Sequence, residues 1–94
     1  FENEHCLAFR DINPQAPTHV LLIPKRQLTG IQAGSGESAL LGELFSQVST
    51  VASAVGVAES GYRVVINNGD DGGQEIDWLH LHILGGRRMT WPPG

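Results

Sequence analysis

The sequence of 94 residues is long enough for one small domain, and its 40% apolar and 17% charged residues are ordinary for a globular protein. The net charge of −4 argues against broad nucleic-acid binding, which needs clustered lysine and arginine, but it allows a site for one phosphate-bearing ligand. The single cysteine excludes an intrachain disulfide, and no apolar run approaches the ~20 residues of a membrane span.

The first part of the chain predicts two strands separated by a turn. A short, mostly apolar run at Cys6–Arg10 is followed by Asn13 and Pro14, a pair that signals a turn. The next apolar run, His19–Pro24, is bounded by prolines and is too short for a helix, so it predicts a buried strand. The segment Lys25–Ile31 predicts a short helix or a turn.

The rest of the chain predicts one long helix and two further strands. Between Ser38 and Val55, apolar residues recur at spacings of three and four, which is the pattern of an amphipathic helix. The runs Tyr62–Ile66 and Ile76–Leu84 predict strands. The glycine-rich turn between them has no room for a crossover helix, so the two strands should be antiparallel. One long helix among about four strands predicts an α+β domain.

Three histidines carry the candidate chemistry. Alternate side chains of a strand share one face, so Trp78, His80 and His82 should stand side by side, spaced about 6–7 Å apart along the strand. The apolar residues between them should face the long helix. A third histidine, His19, begins another predicted strand.

The histidine pattern by itself leaves three interpretations open. The histidines are exposed and idle, or His19, His80 and His82 are three ligands of a zinc ion, or paired imidazoles act in nucleophilic or acid–base catalysis. The turn Gly69–Gly73 directly precedes the histidine strand, and glycine-rich turns expose backbone N–H groups that can hold phosphate oxygens. The position of this turn beside the histidines favours the third interpretation, catalysis on a phosphate-bearing substrate.

The stretch Gly72–Arg87 resembles the signature of the histidine triad (HIT) family, His-φ-His-φ-His-φ-φ with φ apolar. It is most similar to the histidine triad nucleotide-binding (Hint) branch of that family. The resemblance covers nearly the whole chain, and its other matching segments are Phe9–His19, Ile23–Lys25, Gly61–Arg63, Asn67 and Trp91–Gly94.

The resemblance implies an antiparallel five-stranded sheet packed with one long and one short helix. It also implies a homodimer whose two sheets join into one ten-stranded sheet. The implied activity is hydrolysis of purine nucleoside phosphoramidates, such as adenosine monophosphate (AMP) joined to an amine, through a nucleotidyl-histidine intermediate and without a cofactor or metal.

The resemblance also implies roles for individual residues. His80 would be the nucleophile, and His82 and His19 would bind and neutralise the phosphate. The implied contacts to the substrate are Phe9 and Ile12 at the base, Asp11 at the ribose hydroxyls, Asn67 and Gly73 at the phosphate, Glu75 at the leaving group, Trp78 at the edge of the site, and Trp91 reaching toward the partner subunit's site.

Two of these positions depart from the family pattern. Trp78 replaces the first histidine of the signature, whose backbone carbonyl is thought to orient the other ring nitrogen of the nucleophile. Glu75 stands where close relatives carry a serine that assists the leaving group, so it would repel phosphate, bind an ammonium group of the amine, or donate a proton in its protonated form. Because of both departures, two alternative functions remain open: a nucleotide-binding interaction or regulatory module with little turnover, and a zinc-binding domain.

We expect one domain spanning residues 1–94. Because the chain opens with Phe1 rather than methionine, and the Hint branch normally has an upstream segment, we also expect such a segment before it. The lone cysteine fits a reducing compartment, so we expect a cytoplasmic protein, also nuclear in a eukaryote, unless that segment carries a targeting sequence. The expected ligands are purine nucleoside monophosphates or phosphoramidates, with no nucleic-acid or membrane partner.

Overall fold

The computed structural model describes all 94 residues and contains one antiparallel sheet. Strands β1 (Cys6–Arg10), β2 (Thr18–Pro24), β3 (Tyr62–Val65) and β4 (Leu81–Gly85) lie in the order β1-β2-β4-β3. The helix α1 spans Ser38–Ala54. The predicted α+β class is therefore confirmed. No helix of the chain has both the length and the apolar character needed to cross a membrane.

One apolar core lies between the sheet and α1. Leu22 of β2 and Leu81 and Ile83 of β4 have no exposed surface, and they belong to the same cluster as Leu44 and Val51 of α1. Removing a large buried aliphatic side chain from such a core costs about 2–5 kcal/mol. Because side chains alternate along a strand, this packing turns the intervening residues of β2 and β4 to the opposite face, where the candidate site lies.

The sheet has four strands rather than the five that the resemblance implies. The first residues of the chain do approach β1, through a single bridge between Glu2 and Leu7 and a 2.8 Å hydrogen bond from the Ala8 N–H to the Phe1 carbonyl. A single bridge is too short to count as a strand, so this segment lies beside β1 without forming a fifth strand.

The segment Lys25–Ile31, predicted as a short helix or a turn, is not helical. The short helix that the resemblance implies is one 3-10 turn at Gln32–Gly34. The reason is that groups of the predicted segment bond across to the histidine segment: Gln27 donates through Nε2 to the Asp77 carbonyl at 2.7 Å, and the Leu28 carbonyl accepts from the Leu79 N–H.

The last strand begins later than its sequence pattern predicts. The pairing between β2 and β4 starts at Leu22 and Leu81, although Ile76–Leu84 was expected to be extended throughout. Continued in the same register, the next pair would be Ile23 with His80 and the one after it Pro24 with Leu79, but the Leu79 N–H donates to the Leu28 carbonyl instead. His80 therefore lies just outside the sheet, while His82 lies within it.

Candidate active site

A cleft of about 640 Å³ opens on the sheet face opposite the core. Strands β1, β2 and β4 contribute alternate side chains to it, because Phe9 is paired with Leu21 and Leu21 with His82 across the sheet. Its lining residues are Phe9, Arg10, Asp11, Ile12, Asn13, Gln15, His19, Leu21, Asn67, Gly73, Glu75, Ile76, His80 and His82.

Every site residue expected from the sequence lines this cleft except Trp78 and Trp91. Five further residues line the cleft that the sequence pattern did not identify: Arg10, Asn13, Gln15, Leu21 and Ile76. Of these, Leu21 could have been predicted, because strand alternation places it on the same face as His19. Gln15 had no signal in the sequence, since its backbone rather than its side chain contacts a site histidine.

Two of the three histidines are joined directly. The Nε2 atom of His19 lies 2.8 Å from Nδ1 of His82, and the two ring centroids are 5.1 Å apart. The backbone N–H of Gln15 donates to Nδ1 of His19 at 3.0 Å. Since that nitrogen accepts, the His19 proton must be on Nε2, where it donates to His82. The proton of His82 is then on its own Nε2.

The electrostatics of His82 agree with this assignment. Burial lowers the pKa of His82 below its ordinary value, the neighbouring His80 and His19 lower it further, and Asp11 opposes them only in part. His82 is therefore a neutral ring whose Nε2–H is a donor. Its partner His19 is only 5% exposed, so water does not compete for the bond between them.

His80 has the opposite tautomer. Its Nδ1 lies 2.7 Å from the backbone carbonyl of Trp78, which can only accept, so the Nδ1 atom carries the proton. The lone pair of neutral His80 is consequently on Nε2. The rings of His80 and His82 are 5.0 Å apart, which places a lone pair and an N–H donor beside each other at the cleft.

Asp11 lies at the end of β1 and contacts both its own turn and the histidine pair. Its Oδ1 accepts from the Asn13 N–H at 2.8 Å, which is an Asx turn. Its Oδ2 lies 3.5 Å from Nε2 of His19. Because His19 is neutral in this arrangement, the second contact is a long polar contact rather than an ion pair. One carboxylate oxygen thus remains directed toward the site.

The glycine-rich loop is held by its own hydrogen bonds. The Gly73 N–H donates to the Asp70 carbonyl and the Gln74 N–H to the Gly69 carbonyl, at 3.0 and 3.1 Å. Gly73 has a φ of +75°, a conformation that favours glycine. These two N–H groups are therefore not free for phosphate, contrary to the general expectation for such turns.

Gln74 ties the loop to the rest of the site. Its side chain accepts from the Gly69 N–H at 3.0 Å and donates to the carbonyls of Thr29 and Ile76. Asn67 donates through Nδ2 to the Gly72 carbonyl at 2.7 Å. Since an amide nitrogen carries two protons, one N–H of Asn67 stays available to a ligand in the cleft.

Glu75 is an exposed carboxylate on the rim of the cleft. No lysine, arginine or histidine nitrogen lies within ion-pair distance of its carboxylate. It therefore lies in the cleft as a carboxylate without an ion-pair partner, and its place at the leaving group stays a prediction.

The two tryptophans lie outside the cleft. Trp78 was expected at the edge of the site, but its indole N–H donates to the Pro24 carbonyl at 2.9 Å, which directs the ring to the end of β2. Only its backbone carbonyl reaches the site. Trp91 is 81% exposed and lines no part of its own chain's cleft, and a role at the partner subunit's site stays a prediction.

Asp11, His19 and His82 form the one grouping with metal-ligand character, with donor atoms within 4.8 Å of one another. Two nitrogens bound tetrahedrally to zinc at about 2.0–2.1 Å would lie about 3.3 Å apart. His19 Nε2 and His82 Nδ1 are closer, at 2.8 Å, because a hydrogen bond joins them. The arrangement fits a shared proton better than zinc, and His80 is not part of the grouping.

Comparison with known proteins relates the whole chain to one family. A family model described as the HIT domain matches residues 1–89. The 14 kDa zinc-binding protein of Zea mays is 53% identical over 97 residues, an alignment that covers 100% of this chain and 75% of the maize protein.

Solved structures give the same relation. The crystal structure of a HIT family hydrolase from Legionella pneumophila has a TM-score of 0.94 at 50% identity and covers 100% of this chain and 85% of its own. The crystal structure of a histidine triad nucleotide-binding protein from Candida albicans has a TM-score of 0.80 at 27% identity, covering 98% and 71%. The fold and the sequence thus point to the same group of proteins.

Proposed function

This chain belongs to the HIT domain family, and from that premise we propose that it is a nucleotide hydrolase that cleaves the P–N bond of purine nucleoside phosphoramidates. The observation that carries the proposal is the hydrogen bond between His80 and the Trp78 carbonyl, because it leaves the lone pair of His80 on Nε2. A neutral imidazole with that tautomer is a nucleophile at neutral pH.

In the first step, Nε2 of His80 attacks the α-phosphorus. The new N–P bond forms as the bond from phosphorus to the amine breaks, and the amine leaves with that electron pair and a proton from solvent. The product is a nucleotidyl-histidine. Attack requires His80 to be held about 3–3.5 Å from phosphorus in line with the leaving group, which the carbonyl of Trp78 assists by fixing the ring.

In the second step, water attacks phosphorus and the bond to His80 breaks. The nucleoside monophosphate is released, and His80 returns to its neutral form after the proton of the attacking water passes to solvent. His82 donates from Nε2 to a nonbridging phosphate oxygen in both steps. In many enzymes, hydrogen-bond donors directed at the charge that develops in the transition state account for the largest part of the rate enhancement.

The cleft offers a nucleoside the contacts that recognition needs. Phe9 is 45% exposed and Ile12 is fully exposed at its mouth, where a purine ring can cover them. Asp11 lies beside both and supplies a carboxylate oxygen for ribose hydroxyls. The nucleotide-binding protein from Candida albicans shares this fold, which supports a nucleotide as the ligand.

We also propose a homodimer, in which the sheets of two chains join and Trp91 reaches the partner subunit's site. β3 pairs only with β4 and is an edge strand of the sheet, so it offers its other side to a second copy. The exposed Trp91 would gain a binding surface in that assembly. Light scattering on the purified protein measures the assembly directly.

A second candidate function is zinc binding by Asp11, His19 and His82. It is supported by their grouping and by the similarity to the 14 kDa zinc-binding protein of maize. Zinc binding would require the hydrogen bond between the two rings to open. Metal analysis of protein purified without a histidine tag separates this candidate from the hydrolase, because stoichiometric zinc would favour it.

The test of the proposed hydrolase is turnover of an adenosine phosphoramidate, with mass spectrometry of the quenched enzyme. We expect release of the amine and of AMP, and a peptide containing His80 that is heavier by one adenylyl group. Tight AMP binding without turnover would identify a nucleotide-binding module instead. Turnover with no adenylylated histidine would contradict the covalent mechanism.

A further inference from the structure

The carbonyl that orients His80 lies in a segment that has no ladder to hold it. Trp78 and Leu79 precede β4, and neither is paired with β2 or β3. An unsupported peptide plane can rotate, and its carbonyl would then turn away from Nδ1 of His80. Holding the lone pair of His80 on Nε2 therefore requires other contacts to this peptide.

We propose that Trp78 is a positioning residue, whose indole bond to the Pro24 carbonyl holds the peptide that orients His80. The inference rests on the hydrolase proposed above. It assigns a function to the side chain that replaces the first histidine of the signature. Trp78 does not contact the substrate in this arrangement, because its ring lies outside the cleft.

The hydrogen bonds of the segment show how this works. The peptide between Trp78 and Leu79 is held at one end, where the Leu79 N–H donates to the Leu28 carbonyl. At its other end is the α-carbon of Trp78, where the backbone N–H donates to the nearby Ile76 carbonyl at 2.8 Å and the indole N–H donates to the Pro24 carbonyl at 2.9 Å. Of these two bonds, only that of the indole reaches the sheet. With both ends held, the Trp78 carbonyl accepts from His80 at 2.7 Å.

The chemistry of indole suits the task. The indole nitrogen can only donate a hydrogen bond, and the Pro24 carbonyl can only accept one. Unlike a ring nitrogen of histidine, the indole nitrogen always carries its proton, so this bond does not depend on a tautomer. Pro24 is fully buried at the end of β2, which makes its carbonyl a fixed point on the sheet. Trp78 thus connects the irregular segment to the rigid part of the fold.

The first test does not depend on activity. The chain has two tryptophans, so Trp91→Phe assigns the two indole signals in a proton–nitrogen NMR spectrum. We expect the indole N–H of Trp78 to exchange with solvent much more slowly than that of the exposed Trp91. Equal, fast exchange of both would overturn the proposal.

The second test is the Trp78→Phe variant, which keeps an aromatic ring and removes the N–H. We expect kcat to fall about fivefold, as for the loss of one net hydrogen bond, with KM within twofold. The nitrogen spectrum of His80 should change from a single Nδ1–H tautomer to a mixture. The control is Phe45→Leu, a change of an exposed aromatic residue of α1 outside the cleft, which should leave the His80 spectrum unaltered.

The outcomes separate this inference from the proposed function. If the unmodified protein hydrolyses no phosphoramidate, the hydrolase proposal fails, while indole protection and the His80 tautomer still test the role of Trp78. A Trp78→Phe variant that folds and keeps both its kcat and a single His80 tautomer would overturn the role of Trp78 alone. If this variant does not fold, the exchange of the indole N–H in the unmodified protein decides the question.

Discussion

The His19 Nε2 atom lies 2.8 Å from Nδ1 of His82. Through this contact, one backbone N–H determines which ring nitrogen carries the proton in both histidines. The Gln15 N–H fixes the tautomer of His19, His19 fixes that of His82, and His82 presents an N–H to the cleft. His80 is fixed independently by a carbonyl and presents a lone pair. Neighbouring imidazoles thereby acquire opposite polarity, which suits one to bind phosphate and the other to attack it.

The first prediction concerns the nucleophile. His80→Ala should lower turnover by several orders of magnitude, because it removes the group that forms the covalent intermediate. Folding should be nearly unchanged, since His80 lies at the cleft and outside the strand ladder. Steady-state kinetics and thermal unfolding measure the two effects, with His5→Ala at an exposed position outside the cleft as the control. Near-normal turnover of the His80 variant would rule out the mechanism.

The second prediction concerns the backbone donor at Gln15. Gln15→Pro removes the N–H, so Nδ1 of His19 can take the proton and His82 can then turn a lone pair toward phosphate. An unsatisfied buried group costs about 1–3 kcal/mol, and we expect kcat to fall about tenfold or more.

The matched control for this change is Gln15→Ala, which keeps the backbone N–H and removes the side-chain bond to the Asn13 carbonyl. Kinetics and the nitrogen NMR signals of His19 and His82 should separate the two variants. Equal kcat values and equal tautomers in both would mean that the Gln15 N–H does not control the pair.

The third prediction concerns Asp11. Asp11→Asn should weaken binding of a ribonucleotide more than binding of its dideoxy analogue, which has no hydroxyls to donate. A hydrogen bond to a charged acceptor is worth about 1.5–3 kcal/mol, roughly twice the value for a neutral one. Calorimetry with both nucleotides measures the difference. Equal losses would indicate that Asp11 serves only the turn that it forms with Asn13.

The fourth prediction concerns Glu75, the unpaired carboxylate of the cleft. It should favour amine leaving groups with a nearby positive charge and disfavour those with a carboxylate, by a severalfold effect that salt reduces. Glu75→Ser should therefore reduce the ratio of kcat/KM between cationic and acidic leaving groups. Asp71→Ser removes an exposed charge of the same loop outside the cleft lining and is the control. An unchanged ratio in the Glu75 variant would show that its carboxylate does not face the leaving group.

The fifth prediction concerns stability and pH. The lowered pKa of His82 means that the unfolded chain binds a proton near pH 6.5 while the folded chain does not. Because the unfolded state then holds more protons, the free energy of unfolding should fall as the pH drops through about 6.5, until the lower pKa of the folded state is reached.

The structural reason is that a proton on Nδ1 of His82 would face the Nε2–H of His19. In His82→Asn the side-chain carbonyl keeps an acceptor for His19 but cannot titrate. Urea unfolding at pH values above and below about 6.5 should show a smaller decline for this variant than for the unmodified protein. Equal declines would assign the pH dependence to other groups.

The spacing of apolar residues predicted the helix and strands of this fold, because packing against the core determines both that spacing and the elements themselves. The helix expected over Ser38–Val55 ends one residue earlier, at Ala54, and the strand expected over Tyr62–Ile66 ends at Val65. The residues just beyond these ends, Val55 and Ile66, still pack against the core, so the apolar pattern predicted burial better than the exact ends of the elements. The late start of β4 was not predictable from its own pattern, because the preceding residues bond to the segment that follows β2, as the Leu79 N–H does to the Leu28 carbonyl.

Side-chain contacts across the chain were the least predictable part of the site. The placement of Asp11 and His82 in one cleft follows from the resemblance and from strand alternation. The turn of Trp78 toward Pro24 depends on an acceptor more than fifty positions earlier, and no local pattern encodes it. The internal bonding of the Gly73 N–H likewise depends on the detailed turn geometry rather than on glycine content.

The end of the ladder at Leu81 divides the site into a half held by strand pairing and a half held by hydrogen bonds from the segment before β4. His82 is paired with Leu21 on one side and Val65 on the other, so the residue proposed to bind phosphate is anchored within three strands. His80 has no ladder partner. In the proposed mechanism only His80 changes its bonding partner in each cycle, so the changing group lies where the Trp78 carbonyl, rather than the strand ladder, determines its position.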